Sequence, residues 1–265
     1  MKMVLDNITK AIIFDLDDTL IVEEPAATAA FMEACQQAEQ QCGVKAEKLY
    51  STVRETARSI WRQSPARKYC VEIGISSWEG LRAKFEGDDP NMKILHEWAP
   101  TYRLDTWNNS LTKCGISDSV LASQLADAFF QNRRKHHILY DDAINCLGDL
   151  SKLFPLALLT NGVPDLQREK IETTGIAKYF TEIVVSGEAG YGKPDRRIYE
   201  LVLSLLGVEP ESAFNIGDSL ERDVLGAKVV GIKTVWINRH GLSRDGSIVP
   251  DYEVPNLRQL MDIIK

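Results

Sequence analysis

The sequence predicts an α/β protein with a Rossmann-like, doubly wound parallel sheet as its core and a helical domain inserted after the first strand. Two observations lead to this prediction. Short apolar, partly β-branched runs alternate with helical stretches in the C-terminal half, and alternation of this kind is typical of a parallel sheet covered on both faces. More than 100 residues with helical spacing also separate the first such run from the second.

The first strand is predicted over Lys10 to Asp17, "KAIIFDLD", where four apolar residues run directly into acidic ones. Later runs of the same kind predict four further buried strands. They are Leu156 to Asn161, Glu182 to Gly187, Ala213 to Asp218 and Lys233 to Asn238.

Helical stretches separate these strands, for example "DRRIYELVLSLLG", which ends at a glycine suited to a helix C-cap. Between the first two strands lie residues 21–138, which are rich in Ala, Gln, Glu, Lys and Arg and show no strand alternation. We therefore expect an α/β core of residues 1–20 and 139–265, with a helical cap domain over residues 21–138.

Composition limits the kinds of partner. The formal net charge is −7, which argues against a nucleic-acid backbone as the main partner, because phosphate-backbone binding depends on clustered Lys and Arg. Five scattered cysteines without a CxxC pair indicate free thiols in a reducing compartment, and no apolar run reaches the length of a membrane span. These features predict a cytoplasmic protein with a small-molecule substrate and no membrane partner.

Polar residues gather where the predicted strands end. Asp15 and Asp17 end the first strand, and the end of the fourth carries Asp218. Because ligands of an open parallel sheet bind at the carboxyl ends of its strands, we expect these side chains to lie together. The same edge is expected to hold Thr160 and Asn161 after the second strand and Lys193 in the loop after the third.

Asp15, Asp17 and Asp218 provide hard oxygen ligands of the kind that suits Mg²⁺. Alternation along an extended chain places Asp15 and Asp17 on one face, so both could address one ligand. Each motif alone also has a structural explanation. "DLDD" could be an acidic turn, "TNG" an ordinary turn, and "GDSLERD" a favourable helix start. Their joint occurrence at successive strand ends favours a site.

These motifs resemble those of the haloacid dehalogenase-like hydrolase superfamily. "DLDDT" is similar to its first motif, and Thr160, Lys193 and "GDSLERD" to the other three, while the insertion resembles the helical cap of its C1 phosphatases. The resemblance implies that Asp15 is the nucleophile, Asp17 the general acid and base, and Asp218 a Mg²⁺ ligand beside the Asp15 carboxylate and the Asp17 carbonyl. Thr160 and Lys193 would then hold phosphoryl oxygens, with Asp223 in support.

The predicted function is therefore a Mg²⁺-dependent phosphatase that hydrolyses a small phosphorylated metabolite through an aspartyl-phosphate. Asp17 favours this over a 2-haloacid dehalogenase, since an alkoxide leaving group needs a proton and a halide does not. A phosphomutase shares all these motifs and stays open. A receiver-like regulatory module would need an acceptor Asp after the third strand, which this chain lacks, and a non-catalytic relative would not keep every expected residue type.

Substrate identity is not readable from the motifs. Sugar phosphates, acylated sugar-acid phosphates, nucleoside monophosphates and phosphorylated amino acids such as phosphoserine all stay open, as does the oligomeric state. In the insertion, Arg54, Arg58 and Arg62 recur every four residues. We expect them to form a solvated basic stripe, although contact with substrate remains an alternative.

Overall fold

A computed structural model of the protein describes residues 9–134, 137–244 and 246–264. Its described residues form a six-stranded parallel sheet in the order β3-β2-β1-β4-β5-β6. The strands are β1 (Ala11–Phe14), β2 (Leu156–Thr160), β3 (Glu182–Val185), β4 (Ala213–Gly217), β5 (Lys233–Ile237) and β6 (Tyr252–Val254). The predicted Rossmann-like fold class is confirmed.

The centre of the sheet is its most apolar part. All residues of β1, β2 and β4 are buried, as expected for strands with helices on both faces. β1 pairs with β2 on one side and β4 on the other, so the strand order reverses between β1 and β4. This switch point is where an open α/β sheet binds its ligands, and the acidic end of β1 lies there.

Helices account for most of the remaining described chain. The predicted C-cap at Gly207 is present, since this residue adopts a left-handed backbone conformation directly after α10, and Gly43 does the same after α1. The helices are α1 (Glu24–Cys42), α2 (Ala46–Trp61), α3 (Arg67–Glu72), α4 (Ser77–Gly80), α5 (Pro90–Lys113), α6 (Ser119–Arg134), α7 (Ala143–Leu150), α8 (Pro164–Thr174), α9 (Ser186–Ala189), α10 (Arg196–Leu206), α11 (Gly226–Val230) and α12 (Leu260–Ile263). No helix of the described residues is long and apolar enough to cross a membrane.

The chain divides into two compact units. One comprises Met1–Val22, Leu139–Asn161 and Ile171–Lys265, and the other comprises Glu23–Ile138 and Gly162–Lys170. The second unit therefore includes a short segment after β2 that the sequence places in the core. The reason lies in side-chain pairing, because Lys170 forms an ion pair with Glu23 at 3.1 Å between Nζ and Oε2.

The helical unit has its own core of aromatic and aliphatic side chains. Trp61 and Trp107 are buried in it. Arg54 is also buried, with its guanidinium 4.4 Å from the ring centroid of Trp78, whereas Arg58 and Arg62 are exposed. The expectation that all three arginines form a solvated stripe is therefore wrong for Arg54, whose stem and planar head pack on aromatic rings.

Candidate active site

Asp15 follows β1 directly and is held on both carboxylate oxygens. The Thr19 hydroxyl donates to Oδ2 at 3.1 Å, and the Lys193 ammonium donates to Oδ1 at 2.5 Å. Thr19 reaches back because the chain turns sharply after the strand, with Asp18 in a left-handed backbone conformation. The carboxylate is thus fixed in one orientation at the switch point of the sheet.

Lys193 is buried and bridges two carboxylates. Its Nζ lies 2.5 Å from Asp15 Oδ1 and 2.7 Å from Asp223 Oδ1. Burial opposes the charge of the ammonium, but the two carboxylates outweigh it and raise the pKa of Lys193. The lysine therefore remains protonated at the site over the physiological pH range.

Asn161, predicted to bind substrate, holds the backbone of Lys193. Its side-chain Nδ2 donates to the Lys193 carbonyl oxygen at 2.8 Å, and its Oδ1 accepts from the Lys193 N–H at 2.8 Å. A side chain on Gly192 would destroy this clamp, since a Cβ there would lie 2.6 Å from Asn161 Oδ1. Asn161 thus connects the end of β2 to the loop that carries the lysine.

Asp223 lies in a π-helical turn, Leu220–Leu225, which follows β4. Its Oδ2 accepts from the Ser219 N–H at 3.0 Å, and Asn215 Nδ2 donates to its carbonyl oxygen at 3.1 Å. Gly217 makes room for it, because a Cβ at that position would lie 2.2 Å from Asp223 Cγ. The carboxylate predicted to support the site is therefore fixed by its own turn and by Lys193.

The acidic residues Asp15, Asp218 and Asp223 form a candidate metal centre. Each offers a carboxylate oxygen, and these oxygens all lie within 4.8 Å of one another. Among the described residues, no side chain donates a hydrogen bond to the Asp218 carboxylate, which leaves its oxygens available. Three acids beside a single ammonium leave an excess of negative charge, so this donor set fits a hard divalent cation.

Asp17 and Thr160 are the two remaining predicted site residues. The Asp17 carboxylate does not belong to the group of three acids, although its residue lies two positions after Asp15 and is partly exposed. Thr160 is buried at the end of β2, where its hydroxyl lies 3.4 Å from the Asn161 carbonyl oxygen. All the predicted site residues therefore belong to strand ends or adjoining loops of the sheet.

Two residues that contact the site are not among the predicted site residues. Thr19 orients Asp15, and the indole Nε1 of Trp236 donates to the Asp218 carbonyl oxygen at 2.7 Å. A signal for Thr19 exists, since a threonine directly after an acidic run can bind one of those acids. Trp236 has no such signal, because an apolar strand residue at the end of β5 resembles ordinary core.

The electrostatics of the site follow from burial and crowding. Burial raises the pKa of Asp15, although Lys193 acts in the opposite direction. Burial, together with the nearby charges of Asp15 and Asp223, raises the pKa of Asp218 to about 8. Without a cation, the folded protein therefore holds a proton on Asp218 that an unfolded chain would release at neutral pH.

Metal-free protein is accordingly expected to lose stability as the pH rises from about 6 towards 8. Because the pKa of Asp218 is about 8 in the folded protein, the unfolded chain loses this proton first, and the stabilisation present at acidic pH is lost progressively until the pH reaches about 8. The loss is at most about 1.4 kcal/mol per pH unit. Between pH 6 and 8 in EDTA, the unfolding midpoint should fall more steeply with pH for wild type than for Asp218→Asn. Parallel pH profiles for the two proteins would contradict the raised pKa of Asp218.

The parallel sheet thus places a buried aspartate at its switch point, beside a bridging lysine and within a group of three acids, an arrangement that suits nucleophilic displacement next to a cation. A family model described as haloacid dehalogenase-like hydrolase matches residues 9–231. The chain belongs to this family of hydrolases.

Two relatives that match over nearly their whole length are phosphatases. A phosphoserine phosphatase of Thermus thermophilus is 36% identical over 252 residues, which cover 95% of this chain and 97% of the relative. A glyceraldehyde 3-phosphate phosphatase of Methanopyrus kandleri is 28% identical over 264 residues, covering 97% of each chain. The predictions of the family and of a phosphatase are confirmed by these matches.

A solved structure shows the same fold. The putative hydrolase YfnB of Bacillus subtilis, in a crystal form bound to magnesium, superposes with a TM-score of 0.68 at 22% identity, covering 97% of this chain and 99% of that one. The likeness extends over the sheet and the helical insertion alike.

Proposed function

We propose that this protein is a Mg²⁺-dependent phosphatase that hydrolyses a small phosphate monoester through an aspartyl-phosphate on Asp15. The observation that carries the proposal is the contact between Asp15 and Lys193, at 2.5 Å between Oδ1 and Nζ. It places a carboxylate nucleophile beside a buried cation that can attract a phosphate dianion. The matched phosphatases give independent support.

In the first half-reaction, Asp15 attacks phosphorus and the ester oxygen leaves. Thr19 and Lys193 fix the carboxylate, so little orientational freedom is lost on the way to the transition state. Lys193 stabilises negative charge on the phosphoryl oxygens, together with the Thr160 hydroxyl. Asp17 donates its proton to the departing alkoxide.

In the second half-reaction, water cleaves the aspartyl-phosphate. Asp17, now ionised, takes a proton from the attacking water, and the carboxylate of Asp15 is released with inorganic phosphate. The two steps use Asp17 first as an acid and then as a base, so the enzyme returns to its starting protonation state. Asp223 keeps Lys193 in place throughout, since it holds Nζ at 2.7 Å.

The proposed cation is Mg²⁺, which Asp15, Asp218 and the Asp17 backbone carbonyl would hold. When bound, it supplies positive charge that neutralises the phosphoryl oxygens and the crowded carboxylates. The chain's own contribution is the hydrogen bond from the Trp236 indole to the Asp218 carbonyl oxygen, which fixes the loop that carries this carboxylate.

Phosphoserine is the first substrate to test, because the phosphoserine phosphatase relative matches over nearly the whole length of both chains. The test is phosphate release from phosphoserine, glyceraldehyde 3-phosphate, N-acylneuraminate 9-phosphate and nucleoside monophosphates, each with Mg²⁺ and with EDTA. We expect metal-dependent release from one or a few of these esters. Release that is unchanged by EDTA, or its absence from the entire panel, would contradict the proposal.

We also propose a cytoplasmic location. All five cysteines are free thiols, three of them buried, which suits a reducing compartment. Fractionation of cells that produce the protein, with a marker for each compartment, tests this directly.

A further inference from the structure

The end of β5 and the residues directly after it contact the loops that follow two other strands. Trp236, in β5, donates from its indole to the Asp218 carbonyl oxygen at 2.7 Å. Arg239, two residues after β5, donates from Nη2 to the Thr19 carbonyl oxygen at 2.9 Å. Thr19 in turn holds the Asp15 carboxylate. One short segment therefore contacts both loops that carry the proposed metal ligands.

Arg239 is held in a fixed orientation by a two-pronged ion pair. Its Nη1 and Nη2 donate to Asp142 Oδ2 and Oδ1 at 3.1 and 3.0 Å. The arginine and aspartate side chains are 10% and 1% exposed, and Asp142 Oδ2 also accepts from the Leu257 N–H at 2.9 Å. A paired fork of this kind determines the plane of the guanidinium as well as its position.

An aromatic ring supports the same guanidinium from its face. Arg239 Cζ lies 3.7 Å from the ring centroid of Tyr140. Tyr140 belongs to the segment that returns to the sheet from the helical insertion, and its N–H donates to the Leu20 carbonyl oxygen at 3.0 Å. The outgoing and returning segments also pair directly, through Ile21 and Leu139. Arg239 thus connects both segments to β5.

The location of Arg239 separates it from the reacting atoms. It lines a small cavity of about 30 Å³ together with Asp18 and Asp218, but no described hydrogen bond joins it to Asp15 or to the Asp218 carboxylate. The hydrogen bonds of Arg239 are therefore made to the segments that flank the site and not to the acidic groups themselves.

We propose that Arg239 is a positioning residue of the metal site. Anchored by Asp142, it ties the Thr19 carbonyl oxygen to the end of β5, whose Trp236 binds the Asp218 carbonyl oxygen, and so it sets the separation of Asp15 from Asp218. This inference rests on the proposed function, because it assumes that the acids hold Mg²⁺. Outer-shell partners of this kind typically change metal affinity by about 10- to 100-fold.

The test is calorimetric titration of metal-free protein with Mg²⁺, with the unfolding midpoint measured in EDTA alongside. Arg239→Met is expected to weaken Mg²⁺ binding by about tenfold or more. Arg239→Lys should fall between that variant and wild type, since an ammonium keeps the charge but lacks the fork. Arg244→Met is the matched control, because Arg244 is exposed and pairs only at 3.4 Å with Glu253, so it should bind as wild type does.

Loss of Arg239 also leaves the Asp142 charge buried, so the double variant Arg239→Met with Asp142→Asn separates folding from positioning. We expect it to regain much of the unfolding midpoint while Mg²⁺ binding stays weak. Wild-type Mg²⁺ affinity in either variant would overturn the inference. If wild type itself binds no Mg²⁺, the proposed function fails and this inference with it. If only the positioning role is wrong, wild type still binds Mg²⁺ and turns over substrate, and the Arg239 variants bind Mg²⁺ as tightly as wild type does.

Discussion

Replacing Asp15 with asparagine is expected to abolish turnover while the protein remains folded. The amide keeps an oxygen that can accept from Thr19, and Lys193 keeps its contact with Asp223. An amide cannot act as the nucleophile, so kcat should fall by at least about 10⁴-fold. The measurement is phosphate release from the best substrate of the panel, at saturating Mg²⁺.

The same variant should not unfold more easily in EDTA than wild type, because it removes one of three crowded acids. Asp262→Asn, at an exposed position near the C-terminus, serves as the matched control and should retain full activity. Residual turnover of the Asp15 variant above about one hundredth of wild type, in protein free of wild-type contamination, would exclude Asp15 as the nucleophile.

Replacing Lys193 with methionine is expected to have the largest effect on stability. Lys193 is buried between Asp15 and Asp223, so its removal leaves two buried carboxylates without their cation. Breaking a buried pair in this way typically costs about 3 to 5 kcal/mol. Loss of a charge that faces the phosphoryl group should also lower kcat by about 10²- to 10³-fold. Urea unfolding and initial-rate kinetics measure the two effects separately.

Lys228→Met is the matched control for this change. Lys228 pairs with Asp251 at 3.1 Å, but both side chains are more than one third exposed. Exposed pairs contribute at most about 1 kcal/mol, so this variant should resemble wild type in both assays. Equal losses of stability in the two lysine variants would show that the burial of Lys193 has no special consequence.

Mg²⁺ is expected to offset part of the stability defect of Lys193→Met but not that of Lys228→Met, because the acids that lose their ammonium in the first variant belong to the candidate metal centre. Addition of Mg²⁺ is also expected to raise the unfolding midpoint of wild type, since a ligand that binds only the folded state stabilises it.

The strand pattern of the core could be predicted because buried strands of a parallel sheet are apolar along their whole length. β1, β2 and β4 show this, with every residue buried. β6 could not be predicted in this way. It is an edge strand of three residues, Tyr252–Val254, of which only Val254 is buried, so its sequence carries no apolar run.

The site could be predicted in outline because its residues end successive strands, and strand ends of a parallel sheet share one edge. Which partner each side chain of the site contacts depends on the direction of that side chain, which the sequence does not specify. Asn161 binds the Lys193 backbone, and the Asp223 carboxylate lies with those of Asp15 and Asp218 in one group of acids. Arg54 is a similar case, since its helical spacing does not distinguish a solvated face from an aromatic one.

The central claim is that the phosphoryl group is transferred twice, first to Asp15 and then to water. The stereochemical course at phosphorus tests it most directly, with a phosphorothioate analogue of the best substrate made chiral by oxygen isotopes and hydrolysed in isotopically labelled water. Each in-line displacement inverts the configuration, so two displacements predict net retention. Net inversion would show direct attack by water and would contradict the aspartyl-phosphate mechanism.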